Sequence, residues 1–123
     1  MHFPENVKYT KDHEWVRETD EGTVFVGITD FAQSQLGDIV FVNLPEVGDS
    51  VTMGEEFCDM ESVKAVYEIY SPVSGVIKTV NESLLDSLEI INRSPYEAWF
   101  IEVEGITGTV ELLSAAEYAA HCE

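Results

Sequence analysis

The chain has 123 residues, 45% of them hydrophobic and 11% aromatic, which fits one folded domain spanning residues 1–123 rather than a disordered segment. Against 24 acidic residues stand only 6 lysines and arginines, a formal net charge of −18. Such a field repels phosphate backbones and anionic lipid surfaces, so it argues against nucleic-acid and membrane binding and for a soluble monomer that attracts basic partners.

In chain order, His13–Glu18 alternates polar residues around Trp15 and Val16. Asp20-Glu21-Gly22-Thr23 carries turn chemistry and Val24–Ile28 is apolar, so the stretch predicts a two-stranded hairpin. Thr29 or Asp30 can cap a short helix over Phe31–Leu36 that stops at Gly37. Ile39–Val42 reads as a strand, Leu44–Asp49 as a loop, and Val51–Gly54 as a short strand ending in a turn. Phe57–Ser62 and Val66–Tyr70 are strands of a second hairpin, spanning about residues 57–70. Ser74-Gly75 reads as a turn before the strand Val76–Val80. Residues 83–89 predict one helical turn and Trp99–Val103 a last strand. Past Gly105 and Gly108, the spacing of Leu112, Leu113, Ala115, Ala116, Tyr118 and Ala119 predicts an amphipathic helix over about 110–121. Many short strands between turns predict an antiparallel sandwich or small barrel with peripheral helices. Trp15, Phe41 and Trp99 are the aromatics expected to anchor its core.

Enzyme signatures are missing. The glycines have no phosphate-loop spacing, and His2, His13 and His121 form no metal motif. Cys58 and Cys122 lie far apart with neither zinc-ligand nor redox spacing, and read as reduced thiols, with Cys58 a small core or interface residue. Met1–Asn6 has no apolar signal core and no Arg-rich transit composition, so the reading is cytoplasmic. Lys64 stands apart. It is one of four lysines, and between Pro45 and Lys64 there are six acids and no base. Flanked by small residues between two strand-like runs, it falls at a hairpin tip, where its amine can project into another protein's active site.

The string Glu61-Ser62-Val63-Lys64-Ala65, followed by Tyr70-Ser71-Pro72-Val73-Ser74-Gly75, resembles the lipoyl attachment site of the glycine cleavage system H proteins. The resemblance extends along the chain in order. It takes in Tyr9–Trp15, Val26–Gln33, Leu36–Val42, Leu44–Gly48, Ser94-Pro95-Tyr96 with Trp99, and Glu117-Tyr118. A biotinyl domain is the rival carrier, but its lysine is usually flanked by methionines, where Lys64 has Val63 and Ala65. Three places depart from the family pattern: Leu88–Asn92, the shortened Pro95–Trp99 segment, and the bulky Tyr67 near the hairpin tip.

The resemblance implies a mainly β barrel-sandwich hybrid of antiparallel strands, of the lipoyl/biotinyl type, with small peripheral helices. It implies a carrier rather than an enzyme, with one covalent lipoate on Lys64. Glu61, Ser62, Val63 and Ala65 would be read by a lipoate ligase or lipoyltransferase. The arm would take the aminomethyl group of glycine from a pyridoxal-phosphate glycine decarboxylase to a tetrahydrofolate-dependent aminomethyltransferase, and dihydrolipoamide dehydrogenase would reoxidise it. His13, Glu14, Trp15 and Glu68 would lie near a cleft for the loaded arm. A processed eukaryotic form would work in the mitochondrial matrix. A carrier that relays lipoyl groups to other proteins, and a non-lipoylated acidic interaction module, remain as other readings of the same string.

Overall fold

The computed structural model describes residues 1–122; Glu123, the end of the span read as one domain, lies outside them. Among the described residues, nine strands and three α-helices alternate along the chain. They are β1 (Lys8–Tyr9), β2 (Glu14–Glu18), β3 (Val24–Ile28), α1 (Asp30–Leu36), β4 (Ile39–Asn43), β5 (Ser50–Val51), β6 (Glu56–Ser62), β7 (Val66–Tyr70), β8 (Val73–Val80), α2 (Glu89–Arg93), β9 (Ile101–Thr109) and α3 (Ala115–His121). One sheet runs β1-β2-β3-β9-β8-β5 and the other β4-β6-β7, every pairing antiparallel. With small helices at its edges, including the C-terminal α3, this is the barrel-sandwich hybrid.

Local chemistry sets the helix ends. The Thr29 hydroxyl accepts from the Ala32 amide at 3.2 Å to start α1, and Gly37, at φ 74°, ends it in a conformation that a side chain would strain. Ser114 and Glu117 exchange hydrogen bonds in a capping box that opens α3, so the helix is shorter than the predicted span 110–121.

Strand alternation sorts the apolar residues into two cores. Val16, Val26, Ile28, Met60, Ile69, Ile77, Ile101 and Val103 fill the space between the sheets. Trp15 points to the other face of β2, where it packs with Tyr9, Tyr118, Val7 and Leu113, and the Tyr9 and Tyr118 rings stack at 4.7 Å. Gly27 makes room for that indole: a Cβ there would lie 2.5 Å from the Trp15 ring. The indole N–H donates to the Pro95 carbonyl at 3.0 Å.

The structure corrects several sequence expectations. Ser74-Gly75 is not a turn but lies inside β8, where the register slips. A Cβ on Gly75 would come 2.6 Å from the Glu104 carbonyl oxygen, so this glycine allows a close strand approach. Gly105 and Gly108 sit within β9, which runs on to Thr109. The predicted turn over 83–89 is a 3-10 segment, Glu82–Asp86, followed by the unpredicted α2. Phe41 is not core: Val42 points inward, which sends Phe41 out, 51% exposed, opposite Glu61. Trp99 is half-buried with its ring against Phe25.

Burial therefore separates the aromatics in a measurable way. Trp15→Ala should cost about 3–5 kcal/mol in urea unfolding, whereas Phe41→Ala should stay within about 0.5 kcal/mol of the parent. Equal losses at the two positions would contradict this assignment.

Candidate functional site

Lys64 lies on the turn between β6 and β7, fully outside the sheet, and the turn is built from its own polar groups. The Ser62 hydroxyl accepts from the amides of Lys64 and Ala65, each at 3.1 Å, and the Ser62 amide donates to the Ala65 carbonyl at 2.8 Å. The Val63 amide donates to the Asp38 carbonyl at 3.0 Å, fixing the turn to the start of β4. The lysine stem lies over Gly37: a Cβ there would touch Lys64 Cε at 3.5 Å and Val63 Cγ2 at 3.3 Å. Lys8, Lys11 and Lys78 each reach a carboxylate, at 3.8, 3.1 and 3.8 Å; among the described residues Lys64 reaches none within 4.0 Å. Its base is fixed and its amine is free, so amide formation there breaks no ion pair.

Asn92 supports this arrangement from below. Its carbonyl accepts from the Ile39 amide at 3.1 Å, and its amide group donates to the Gly37 carbonyl at 2.8 Å and to Gln33 at 3.1 Å. The sequence alone assigns Asn92 no role. Nothing in spacing links a residue 28 positions past Lys64 to the strip beneath it.

The second element is a buried carboxyl. Glu14 shares the inward face of β2 with Val16 and is 1% exposed. The Thr10 hydroxyl donates to its Oε1 at 2.8 Å, while Oε2 has no hydrogen-bond partner. Burial pushes its pKa up to about 8. Thr10 and the Tyr70 backbone pull it down, and Asp12 adds to the rise. Tyr67 lies on the inward side of β7. The row Val42–Met60–Tyr67 points inward, and the Tyr67 hydroxyl reaches across to donate to the Asp12 carbonyl at 3.1 Å. Burial, with the Glu14 and Asp12 charges adding, holds the Tyr67 phenol well above its ordinary range.

The other expected cleft residues lie apart from this carboxyl. His13, at a positive φ of 72°, turns its ring away to bond the Tyr118 hydroxyl at 2.7 Å and to pack on Phe31. Trp15 is in the second core. Glu68 takes the outward face of β7, where the Tyr70 hydroxyl donates to it at 3.5 Å and Asp59 lies opposite on β6. Glu61 is also outward, between Phe41 on β4 and Val66 on β7. Ser62 is half-buried in its turn, and Val63 and Ala65 are exposed on either side of Lys64. Cys58 is buried, and burial raises its thiol pKa far above the ordinary value, so it stays protonated and inert.

Among the described residues, this barrel-sandwich domain offers on its hairpin turn one exposed lysine that reaches no carboxylate, an arrangement suited to carrying a covalent arm. Comparison with known proteins narrows this. The family model described as glycine cleavage H-protein matches residues 7–123. A glycine cleavage system H protein of Lachnoclostridium phytofermentans is 57% identical over 118 residues, covering 96% of this chain and 93% of that protein. One from Geobacillus thermodenitrificans is 54% identical over 123 residues, covering 98% and 96%. The crystal structure of a glycine cleavage system H protein from Mycobacterium marinum superposes with a TM-score of 0.88 at 44% identity, covering 95% of this chain and 96% of that one. The chain belongs to the glycine cleavage H-protein family, which carries lipoate. Membership supports a lipoyl-carrier role in the glycine cleavage system, working with that system's other components. No helix is long and apolar enough to cross a membrane among the described residues.

The raised pKa of Glu14 makes a stability prediction with a definite sign. In the unfolded chain this carboxyl ionises near 4.5, and in the folded protein near 8. Between those values the folded state keeps a proton that the unfolded state has lost, so its contribution to stability falls as pH rises through this window. Glu14→Gln removes the effect. Relative to the parent, this variant should gain roughly 3 kcal/mol between pH 5 and pH 8 in urea unfolding. A pH-independent difference would refute the burial argument.

Proposed function

We propose that the chain bears one lipoyl group on Lys64 and shuttles the aminomethyl group of glycine from glycine decarboxylase to the tetrahydrofolate-dependent aminomethyltransferase, before reoxidation by dihydrolipoamide dehydrogenase. The observation that carries this reading is Lys64 itself, exposed and, among the described residues, unpaired, on a turn pinned by Ser62 and Asp38. When attached, the lipoyl amide supplies a disulfide–dithiol pair able to take up the aminomethyl group with two electrons. The protein's own residues present and shelter. Conversion of the Lys64 ammonium to an amide removes one of 6 basic charges and deepens the negative field around the turn. Glu61, Ser62, Val63 and Ala65 form the surface that a lipoate ligase or lipoyltransferase meets.

Glu14 is the carboxyl for the cationic end of the loaded arm. Its Oε2 lacks a partner, and an ammonium brought against it favours ionisation, with the carboxyl proton passing to solvent. His13 and Trp15 anchor the strand that carries it, and Glu68 lies on the outward approach. The reading places the protein in the cytoplasm, or in the mitochondrial matrix for a processed eukaryotic form.

Lys64→Arg keeps the charge but cannot form the amide. The variant should fold with parental stability, show no lipoyl adduct by intact mass after expression with a lipoate ligase, and fail to accept the aminomethyl group. An adduct on Lys8, Lys11 or Lys78 in that variant would overturn the assignment.

The acids along β6, from Glu55 and Glu56 at its start through Asp59 to Glu61 beside the turn, make recognition by basic partners electrostatic. Glu61→Gln should slow lipoylation at low salt. The difference should fade by 1 M salt, where the Debye length falls from about 10 Å at 0.1 M to about 3 Å. Equal rates for parent and variant at both salt concentrations would leave these acids a solubility role alone.

A further inference from the structure

Glu14 is a polar side chain with an unpartnered oxygen, sealed from solvent at 1% exposure. A cationic group can reach Oε2 only after something moves. Its surroundings single out one side chain. Thr10 is committed to Glu14 by two hydrogen bonds, its hydroxyl donating to Oε1 at 2.8 Å and accepting from the Glu14 amide at 3.1 Å. The Ile28 backbone is locked in the β2–β3 ladder. Met60 and Ile69, beside Tyr67 on the hairpin, are fully buried. Tyr67 differs from all of these. It is half-buried, it lies three residues beyond Lys64 on the same hairpin, and its polar tie is a single hydrogen bond to the Asp12 carbonyl across the gap. That bond spans from β7 to the turn that leads into Glu14.

We infer that Tyr67 is the gate of the Glu14 carboxyl: shut, with its hydroxyl on the Asp12 carbonyl, it covers Oε2, and it must swing outward before a cationic group on the arm can dock. The inference rests on the proposed arm-cleft role of Glu14 and makes Tyr67 a positioning residue for it. The charged and titratable groups facing Glu14 are Asp12 on the turn before β2 and Tyr67 on β7, with Thr10 its hydrogen-bond donor and the Tyr70 backbone nearby. A shut gate lowers apparent docking strength in proportion to the fraction of time it is open. Weakening the Asp12 tie therefore strengthens docking.

The test has one readout that needs no arm and one that does. In the unmodified protein, the Glu14 carboxyl is titrated by carbon-detected NMR in the parent, Tyr67→Phe and Tyr67→Ser. Tyr67→Ser should admit water and lower the midpoint from about 8 toward the ordinary carboxylate range. Tyr67→Phe keeps the ring packing and guards against misfolding. In the lipoylated, reduced protein, the arm is loaded by one thiol reacting with formaldehyde and ammonium. A C–S and a C–N bond form, the carbonyl oxygen leaves as water, and nothing is oxidised. Breakdown is the reverse hydrolysis and is followed by ammonium release. Losing one neutral hydrogen bond opens the gate about fivefold more often, so Tyr67→Phe should slow release by up to about fivefold.

Glu14→Gln should speed release and remove the effect of Tyr67→Phe. An unchanged Glu14 midpoint in Tyr67→Ser, or release from Tyr67→Phe at the parental rate while Glu14→Gln accelerates it, overturns the gate and leaves the Glu14 cleft standing. Release unaffected by Glu14→Gln overturns the cleft reading instead, and the titration alone then decides whether Tyr67 covers the carboxyl.

Discussion

The turn at Ser62–Ala65 is the constraint on which the rest of the site depends. A carrier lysine needs a mobile arm on an immobile base, because slack at the base adds to the search that every partner must make. One hydroxyl, Ser62, satisfies two turn amides, and one backbone bond to Asp38 fixes the turn to the neighbouring strand. Gly37 then lets the lysine stem lie close, and Asn92 fastens the backbone at that glycine and just beyond it through Gly37 and Ile39. Three segments distant in sequence thus hold one side chain pointing outward.

The same hairpin separates two kinds of acid by strand alternation. Residues on one face of β6 and β7 are apolar and seal the space between the sheets. Those on the other face are Glu56, Glu61 and Glu68, which stay hydrated among exposed apolar side chains such as Val66 and Phe41. Glu14 breaks the pattern, since it is the one acid turned into the interior of the described residues. Burying a carboxyl with one unsatisfied oxygen opposes folding, and neutralising it by protonation limits that cost. A destabilising group kept at such a place fits a function that uses it.

Tyr67 links these two faces of the problem. It belongs to the inward row with Met60 and Val42, yet it stays half-buried because its hydroxyl reaches the Asp12 carbonyl instead of the core. In the proposed gate that aromatic shields the carboxyl, and a single neutral hydrogen bond to the Asp12 carbonyl holds it shut. The balance between shut and open is therefore small enough for a ligand to shift.

The sequence by itself determined much of this protein. The alternation in β2, β3, β6 and β7, the Thr29 and Gly37 boundaries of α1 and the lone lysine among acids are all short-range signals, and they were legible because each follows from neighbours a few residues apart. The ordered string of blocks around Lys64 carried the family resemblance. Glycine misled where its meaning depends on contacts: Gly75, Gly105 and Gly108 look like turns but lie inside strands, because close approach to another backbone and a turn ask for the same missing side chain. Phe41 looked like core, but only strand register decides which face of β4 is buried. Tertiary structure alone decided that Glu14 is sealed, that Tyr67 spans to Asp12, and that Asn92 underpins the lysine turn, since each pairs residues whose separation along the chain, 4 to 55 positions, carries no periodic signal.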